Sequence, residues 1–560
     1  MCCVSLRKGV VNLFGIIFIS RRLKKIMRKK DTVLIIVIFG ILLICTGLFA
    51  WWVVVKSDQK KETEENVCLN WYINYEWYND EWKDSAVAQA ITEKTGVTIN
   101  YKTPVGNSSN TLDTFIASNE LPDMITLGYW EPQLKTLIDN DMVYPLNYLA
   151  DKYCTEFYQV ADLDSVKWYT YSNGNIYGYP NSSCSYNDYL NNSNLASNQV
   201  FVVRKDIYEA IGSPDMTTPE GFMQAVRDAA KMYPTVDGEP LIPIGANFFD
   251  DFGDTSFDSF LQNSLAIPYE KDGKYYDRNM DPEYLSWLKV FRQMNEEGYL
   301  SPEIFVDERT QITEKILKGR YFCMFYQWTD MEDQLKEIND KAPDRIYMAV
   351  DGPRNPNGTP PVLPTSTVQG WTVTLISKKC KDPEKAIKFM TFLMSEEGQK
   401  LTYLGVEGIT YDVVDEKIVI RQEVKKLLET DRKAYNRKYG ADNTYWMLQD
   451  NIMQLKWQQE PIPPVKQMKE YTYPYTAYLG QYSISIPEDT VLGDNYERIR
   501  NLWAETLKRL LLSKSDEEFD SIVEEYKVKA NSLGIEKVYI EATRQMKNSK
   551  IRMGIEDSGQ

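Results

Sequence analysis

The sequence predicts an α/β protein with a largely parallel sheet, and three observations predict it. Past residue 66, apolar runs of strand length alternate with amphipathic stretches of helical length. The helical stretches carry recognisable starts and stops. The chain is 560 residues long and 43% hydrophobic, enough for more than one core and more than one lobe.

The alternation begins at once. CLNWYINYEWYNDEW opens with an apolar and aromatic strand, AVAQAITEKTG (Ala86 to Gly96) has helical spacing and a glycine stop, and VTINYKT reads as a second strand. TLDTFIASNELPD then leads into MITLGYW, completing a β-α-β-α-β start. Pro122 and Asp123 end the preceding helix, Met124 to Leu127 suit a buried strand, and Gly128 lets the chain leave it tightly. Tyr129 and Trp130 therefore sit just past a strand's C-terminal end, where open α/β sheets bind ligands.

SNGNIYGYP (Ser172 to Pro180) is a turn followed by a short strand, and NQVFVVRKDIYEAIG is a strand followed by a helix. In TTPEGFMQAVRDAAKMYP a helix starts at Thr218 with Pro219 next; another runs from about Pro282 to Glu297 and stops at Gly298. ITEKILKGRYFCMFYQWTDM, IYMAVDGP and a proline-rich loop follow. QGWTVTLISKKC is a strand, and DPEKAIKFMTFLMSEEGQKL a helix with Asp382 as its cap and Pro383 in its first turn. From about Asp442 to Ile551 the pattern is mostly helical, interrupted by EYTYPYTAYLGQYSI.

The amino terminus predicts a membrane segment. A basic stretch (1–31) precedes TVLIIVIFGILLICTGLFAWWVVV (32–55), which is uncharged and would span about 36 Å as a helix. The basic cluster places the N-terminus in the cytoplasm and the remainder outside, with Trp51 and Trp52 at the outer interface. Ala50 offers a small residue for cleavage, but Leu48 is bulky and the apolar run continues beyond it. Cys45 with Leu42 is similar to the lipid-modified cysteine of bacterial lipoproteins, although Ile44 stands where a small residue is needed. A retained anchor is the expectation. Met27 would begin a conventional export signal, leaving the first 26 residues as an upstream extension. The charged KSDQKKETEEN (56–66) reads as a spacer.

Composition excludes several function classes. A net charge of -16 and mixed acidic and basic residues argue against a nucleic-acid partner. The chain has no histidine, which removes the commonest zinc ligand and the usual general base. The eight cysteines form no close CxxC pair, so buried free thiols are expected, with a Cys154/Cys184 bridge as the alternative. DDFGD (Asp250 to Asp254) lacks the calcium-loop spacing and reads as a solvated loop. There is no P-loop, Rossmann glycine pattern or GxSxG elbow. No metal and no cofactor are expected.

Several ordered pieces carry a resemblance: TFIASNELPDMITL, SNGNIYGYP, FVVRKDIY, the TTPEGF helix start, ITEKILKGRYFCMF, IYMAVDGP and KDPEKAIKFMTFLMSEEGQKLTYLGVEGITY. From about Val67 to Met546 their order resembles the extracellular solute-binding proteins of bacterial ABC importers, in the sugar-binding family that includes maltose-binding protein. The tail SDEEFDSIVEEYKVKANSLGIEKVYIEATRQ resembles the long LplA-type lipoprotein subgroup of Gram-positive bacteria. The resemblance implies the periplasmic-binding-protein type II fold, two α/β lobes joined by a hinge. The first lobe would comprise 67–180 and 371–445, the second 181–370 and 446–546, followed by a tail (547–560). Crossings are expected near Tyr179 and Pro180, near Gly370 and Trp371, and around 440 to 460. It further implies a monomer on the extracellular face that hands a carbohydrate, an oligosaccharide, to permease subunits.

A sugar site needs flat apolar surfaces for C–H faces and polar groups for hydroxyls. Residues after predicted strands supply both. The first-lobe candidates are Glu76, Trp77, Tyr129, Trp130 and Glu131; the second-lobe candidates are Phe248, Phe249, Asp250, Trp328 and Asp330; Trp371 stands at the return crossing. Tyr186 and the tyrosine run at 471–478 are weaker candidates. Each aromatic has the alternative of packing into its own lobe, and each carboxylate that of capping a helix or facing solvent. Two other functions fit an external protein rich in aromatics and carboxylates. A secreted glycoside hydrolase would need two opposed carboxyls that no motif nominates, and a ligand sensor for a membrane receptor would use the same lobe closure.

Overall fold

The computed structural model describes residues 66–78, 82, 84–104, 108–192, 194–441, 446–486 and 490–555. The expected membrane segment at 32–55 lies outside them, and among the described residues no helix is long and apolar enough to cross a membrane. Nine strands frame the site: β1 (Val67–Ile73), β2 (Val97–Lys102), β3 (Met124–Gly128), β4 (Gly178–Pro180), β5 (Gln199–Arg204), β6 (Ile242–Gly245), β7 (Tyr321–Gln327), β8 (Tyr347–Ala349) and β9 (Thr372–Ile376). The helices that position side chains are α1 (Ala86–Thr95), α2 (Pro132–Asp139), α3 (Pro219–Met232), α4 (Pro282–Glu296), α5 (Arg309–Leu317), α6 (Pro383–Met394), α7 (Val491–Leu512) and α8 (Ile535–Met553).

The first sheet has the order β2-β1-β3-β9-β4. β1 pairs in parallel with β2 and β3, and β9 enters antiparallel between β3 and β4. β3 and β9 read as unbroken runs, MITLG and TVTLI, because every residue of each is buried. The polar atoms they carry are satisfied in place: the Trp71 indole donates to Thr126 at 2.8 Å, and the Thr126 and Thr374 hydroxyls lie 2.8 Å apart.

The second sheet, β8-β5-β7-β6, corrects the expectation of largely parallel pairing. β5 runs antiparallel to both β7 and β8, and only β7 and β6 are parallel. The reason is topological: β5 and β7 are neighbours in space but far apart in sequence, so the crossover rule that makes β-α-β units parallel does not bind them.

Helix boundaries follow local chemistry. Ser85 caps α1 and Gly96, at φ 66, ends it. Thr218, Asp281 and Asp382 cap α3, α4 and α6, each with proline at the start of the helix. One core gathers Leu69, Trp71, Ile125, Leu127, Val373 and Phe389 and continues to Met447 and Leu448. A second joins Phe201, Phe222, Trp287 and Phe325 to Trp503 and Tyr526. A third cluster, including Val200, Met324, Tyr326 and Met468, covers the other face of the second sheet.

Three chain segments meet where β4 ends and β9 begins. Asn181 donates to the Thr372 carbonyl at 3.0 Å, Trp371 donates to the Asn181 carbonyl at 3.2 Å, and Ser182 donates to the Gln449 carbonyl at 2.7 Å. Gly370 is required there twice over: its φ is 70, and a Cβ would sit 2.2 Å from the Asn181 carbonyl oxygen.

Cys154, Cys184, Cys323 and Cys380 are buried free thiols and Cys68 an exposed one, so the alternative Cys154/Cys184 bridge is not formed. The DDFGD loop is solvated only in part. Asp250, Asp251 and Phe252 are exposed, but Asp254 is buried because one of its oxygens caps the following turn, accepting from the backbone N–H groups of Ser256 and Phe257.

Candidate functional site

The strand order of the first sheet gathers an aromatic wall. β1 and β3 end at the same edge, and antiparallel β9 begins there, so the residues after β1, after β3 and before β9 converge. They are Tyr75 and Trp77, Tyr129 and Trp130, and Trp371. Tyr75 stacks on Trp371, with centroids 4.8 Å apart and planes 20° apart. Trp77 lies 5.4 Å from Tyr75 and 6.1 Å from Trp371. Trp130 lies 6.4 Å from Trp371 and meets Tyr129 edge-on at 5.2 Å. Trp77 is 42% exposed and Trp130 48% exposed, so two indoles at one sheet edge keep nearly half their surface in water. Grouped apolar surface of this kind marks a binding face.

Glu131 is a brace behind that wall. One carboxylate oxygen accepts from the Gly128 N–H at 2.7 Å and from the Tyr75 hydroxyl at 3.2 Å, and the other accepts from the Asn74 amide. Burial pushes this carboxyl above the usual range, and the three donors pull it partly back. Burial and the neighbouring Glu131 charge keep the Tyr75 hydroxyl protonated, hence a donor. Gly128 leaves room for the arrangement, since a Cβ would approach the Trp130 ring to 2.8 Å. Glu131→Gln places an N–H₂ against one of these donors and is expected to lower stability by about 1 kcal/mol, measured by chemical denaturation; an unchanged midpoint would remove the brace.

Glu76, the remaining first-lobe candidate, is exposed beside Trp77. The second-lobe candidates divide. Phe248 packs against the cluster behind the second sheet, and Phe249 packs on Phe257 and Phe305, with centroids 6.3 and 5.0 Å away. Asp250 accepts from the Phe252 N–H at 2.7 Å across its own turn. Trp328 is half-buried, donates its indole N–H to the Ser197 carbonyl at 3.0 Å and has the Lys469 ammonium 5.8 Å from its ring. Asp330 pairs with Arg309 at 2.9 Å, and that guanidinium lies over the Trp77 ring at 5.9 Å. Of these candidates, Asp330 thus comes near the aromatic wall of the first sheet, through an arginine. The Tyr129 hydroxyl makes a second crossing, 3.1 Å from Ser483, whose neighbours Ile484 and Ile486 pack on the second core.

Tyr186 and Tyr189 pack around Tyr478, whose hydroxyl accepts from the Val368 N–H at 3.1 Å. The Tyr471 hydroxyl donates to Asp351 at 2.7 Å. Members of the tyrosine run therefore bind segments of the chain to one another. Tyr75 and Arg309 are not among the residues the sequence nominates. A signal existed for each: Tyr75 shares the post-strand stretch with Trp77, and Arg309 is a cation at a helix start, where charge of that sign is out of place.

Residues 86–423, more than half of the chain, match the family described as bacterial extracellular solute-binding proteins. The chain belongs to this family. No curated protein matches this solute-binding protein, but solved structures do. It superposes on the alginate-binding protein AlgQ2 with a TM-score of 0.64 at 16% identity, covering 86% of this chain and 98% of that one. The substrate-binding protein FusA of an S. pneumoniae ABC transporter, in complex with kestose, gives 0.63 at 16% identity, covering 87% and 100%. A solute-binding protein from Bifidobacterium longum infantis, described as HMO-binding and associated with an ABC transporter, gives 0.62 at 14% identity, covering 86% and 99%. The solute-binding protein thus has the fold expected from its sequence, two α/β sheets each with its own core.

Proposed function

We propose that this solute-binding protein captures an oligosaccharide between two lobes and delivers it to the permease of an ABC importer. The observation that carries the reading is the wall of Tyr75, Trp77, Trp130 and Trp371, flat surfaces grouped at one sheet edge with two indoles exposed. Structural neighbours described as in complex with kestose, Man1GlcNAc or Man5GlcNAc support the carbohydrate class. In this reading 67–180 and 371 to about 457 form one lobe, because Met447 and Leu448 pack in the first core and Trp457 on Leu404, and 181–370 with about 463–546 form the other, hinged where Asn181, Trp371 and Gln449 meet. Closure follows because a ligand touching both lobes favours the closed population. The segment at 32–55 tethers a monomer to the outer face of the membrane. Capture requires no covalent step and no cofactor.

The test is a thermal-shift screen of the full chain in detergent against neutral oligosaccharides, monosaccharides and peptides. An oligosaccharide present at a hundred times its Kd stabilises by about 2.7 kcal/mol and raises the midpoint of a chain this long by about 2–3 °C. A response to peptides alone defeats the carbohydrate assignment, and cleavage of the bound sugar defeats the transport reading.

A further inference from the structure

Arg309 is the first residue of α5, where its charge faces the positive end of the helix dipole and the unsatisfied backbone N–H groups. Such a position disfavours a cation unless something else holds it. Asp330, from the turn after β7, does so at 2.9 Å, and the arginine reaches from there to lie over the Trp77 ring at 5.9 Å. Its capping box is made by Glu308 and Gln311, so the helix start does not consume the guanidinium. Behind the ion pair the Tyr326 hydroxyl is buried with no hydrogen-bond partner among the described residues, and it feels the charges of both Asp330 and Arg309. Five guanidinium donors and a carboxylate exceed what the pair itself uses.

We propose that Arg309, oriented by Asp330, is the second-lobe residue that closes on the Trp77 face, and that this pair binds the hydroxyl edge of a sugar ring stacked there. The assignment rests on the oligosaccharide reading. It makes the second-lobe side of the site polar and the first-lobe side aromatic, which is the division a pyranose ring needs: C–H face against indole, hydroxyl edge against ions. A cation over an indole also gains from desolvation, so the contact strengthens as ligand expels water.

The experiment is a double-mutant cycle in the full chain, with the neutral oligosaccharide that most stabilises the wild type as probe. Arg309→Ala is expected to weaken affinity about 5-fold, chiefly through faster dissociation. Arg309→Lys, which keeps the charge but loses the fork, is expected to lose less. In a Trp77→Ala background the Arg309 effect should vanish. No loss with Arg309→Ala, or the same loss in both backgrounds, overturns the proposal. A ligand-free arm separates it from the carbohydrate reading: hydrogen exchange over residues 74–78 should quicken in Arg309→Ala, although the two sites lie on different lobes. Unchanged exchange there overturns the contact itself. If the wild type binds no oligosaccharide, the carbohydrate reading falls at that point, and the exchange arm alone decides whether Arg309 reaches Trp77.

Discussion

Trp371→Ala is expected to weaken oligosaccharide binding by about 100-fold, the largest effect of any single change in the site. Trp371 is the hub of the aromatic wall, within ring-contact distance of Tyr75, Trp77 and Trp130. Its removal takes away one stacking surface and loosens three others. Central aromatic anchors of this kind contribute about 2–4 kcal/mol, and about 2.7 kcal/mol is a hundredfold in Kd. The fold should survive, because the backbone of Trp371 rather than its ring makes the hydrogen bonds to Asn181 and Tyr129. Trp371→Phe should recover part of the loss. Trp328→Ala, where the indole is spent on Ser197, should cost less than Trp371→Ala. Calorimetry on the full chain decides the matter: affinity within threefold of wild type for Trp371→Ala would mean that the wall is not where the ligand lies.

Asp258→Asn is expected to stabilise the protein near neutral pH and to leave it nearly unchanged near pH 4. Asp258 lies in the helical turn Ser256–Phe260, and one of its oxygens accepts from the Tyr284 hydroxyl at 2.7 Å and the Trp503 indole at 2.8 Å. It thereby ties α4 to α7. The glycine at 253, with φ 115, is needed because a Cβ would sit 2.6 Å from the second oxygen. Burial pushes the carboxyl up to about 6, against the two donors that hold it down. The residue keeps part of its surface in solvent while its carboxyl is enclosed, and the enclosed end is the one that titrates.

The sign follows from linkage. A group whose folded pKa is raised binds its proton more tightly when folded, so its contribution is complete below the unfolded value, near 3.9, and is lost as pH rises through about 6. The full shift is worth about 3 kcal/mol, or about 2 kcal/mol after allowance for partial solvation. Asparagine keeps an acceptor for Tyr284 and Trp503 and has no charge to desolvate. The difference in midpoint between variant and wild type should therefore open between pH 4 and 6 and level off above. A difference that is constant over that range would show that the carboxyl is ionised in the fold without penalty.

Much of the architecture was legible because its signals are local. Proline and a capping residue mark the starts of α3, α4 and α6, and short runs of apolar residues and threonine mark β3 and β9. Pairing direction in the second sheet was not legible, since β5 meets partners from distant parts of the chain. The site divides the same way. Placement after a strand was enough to nominate Trp77, Trp130 and Trp371, because strand ends in this sheet share an edge. Whether a side chain beyond a strand turns outward or inward depends on neighbours the sequence does not name. Glu131, nominated to meet ligand, turns back to Gly128, Tyr75 and Asn74, and Phe249 turns into the core against Phe305. Arg309 was missed because its relevance comes from Trp77 and Asp330, neither of which is near it in sequence.

The interior position of β9, between β3 and β4, sets a schedule for maturation. Thr374 meets Thr126 across 248 residues of chain, so no polypeptide ending before the mid-370s can complete the first sheet. Contacts that distant form late and slowly. A nascent chain therefore carries an unfinished sheet until two-thirds of it has been made, and that sheet locks only when β9 slots between β3 and β4.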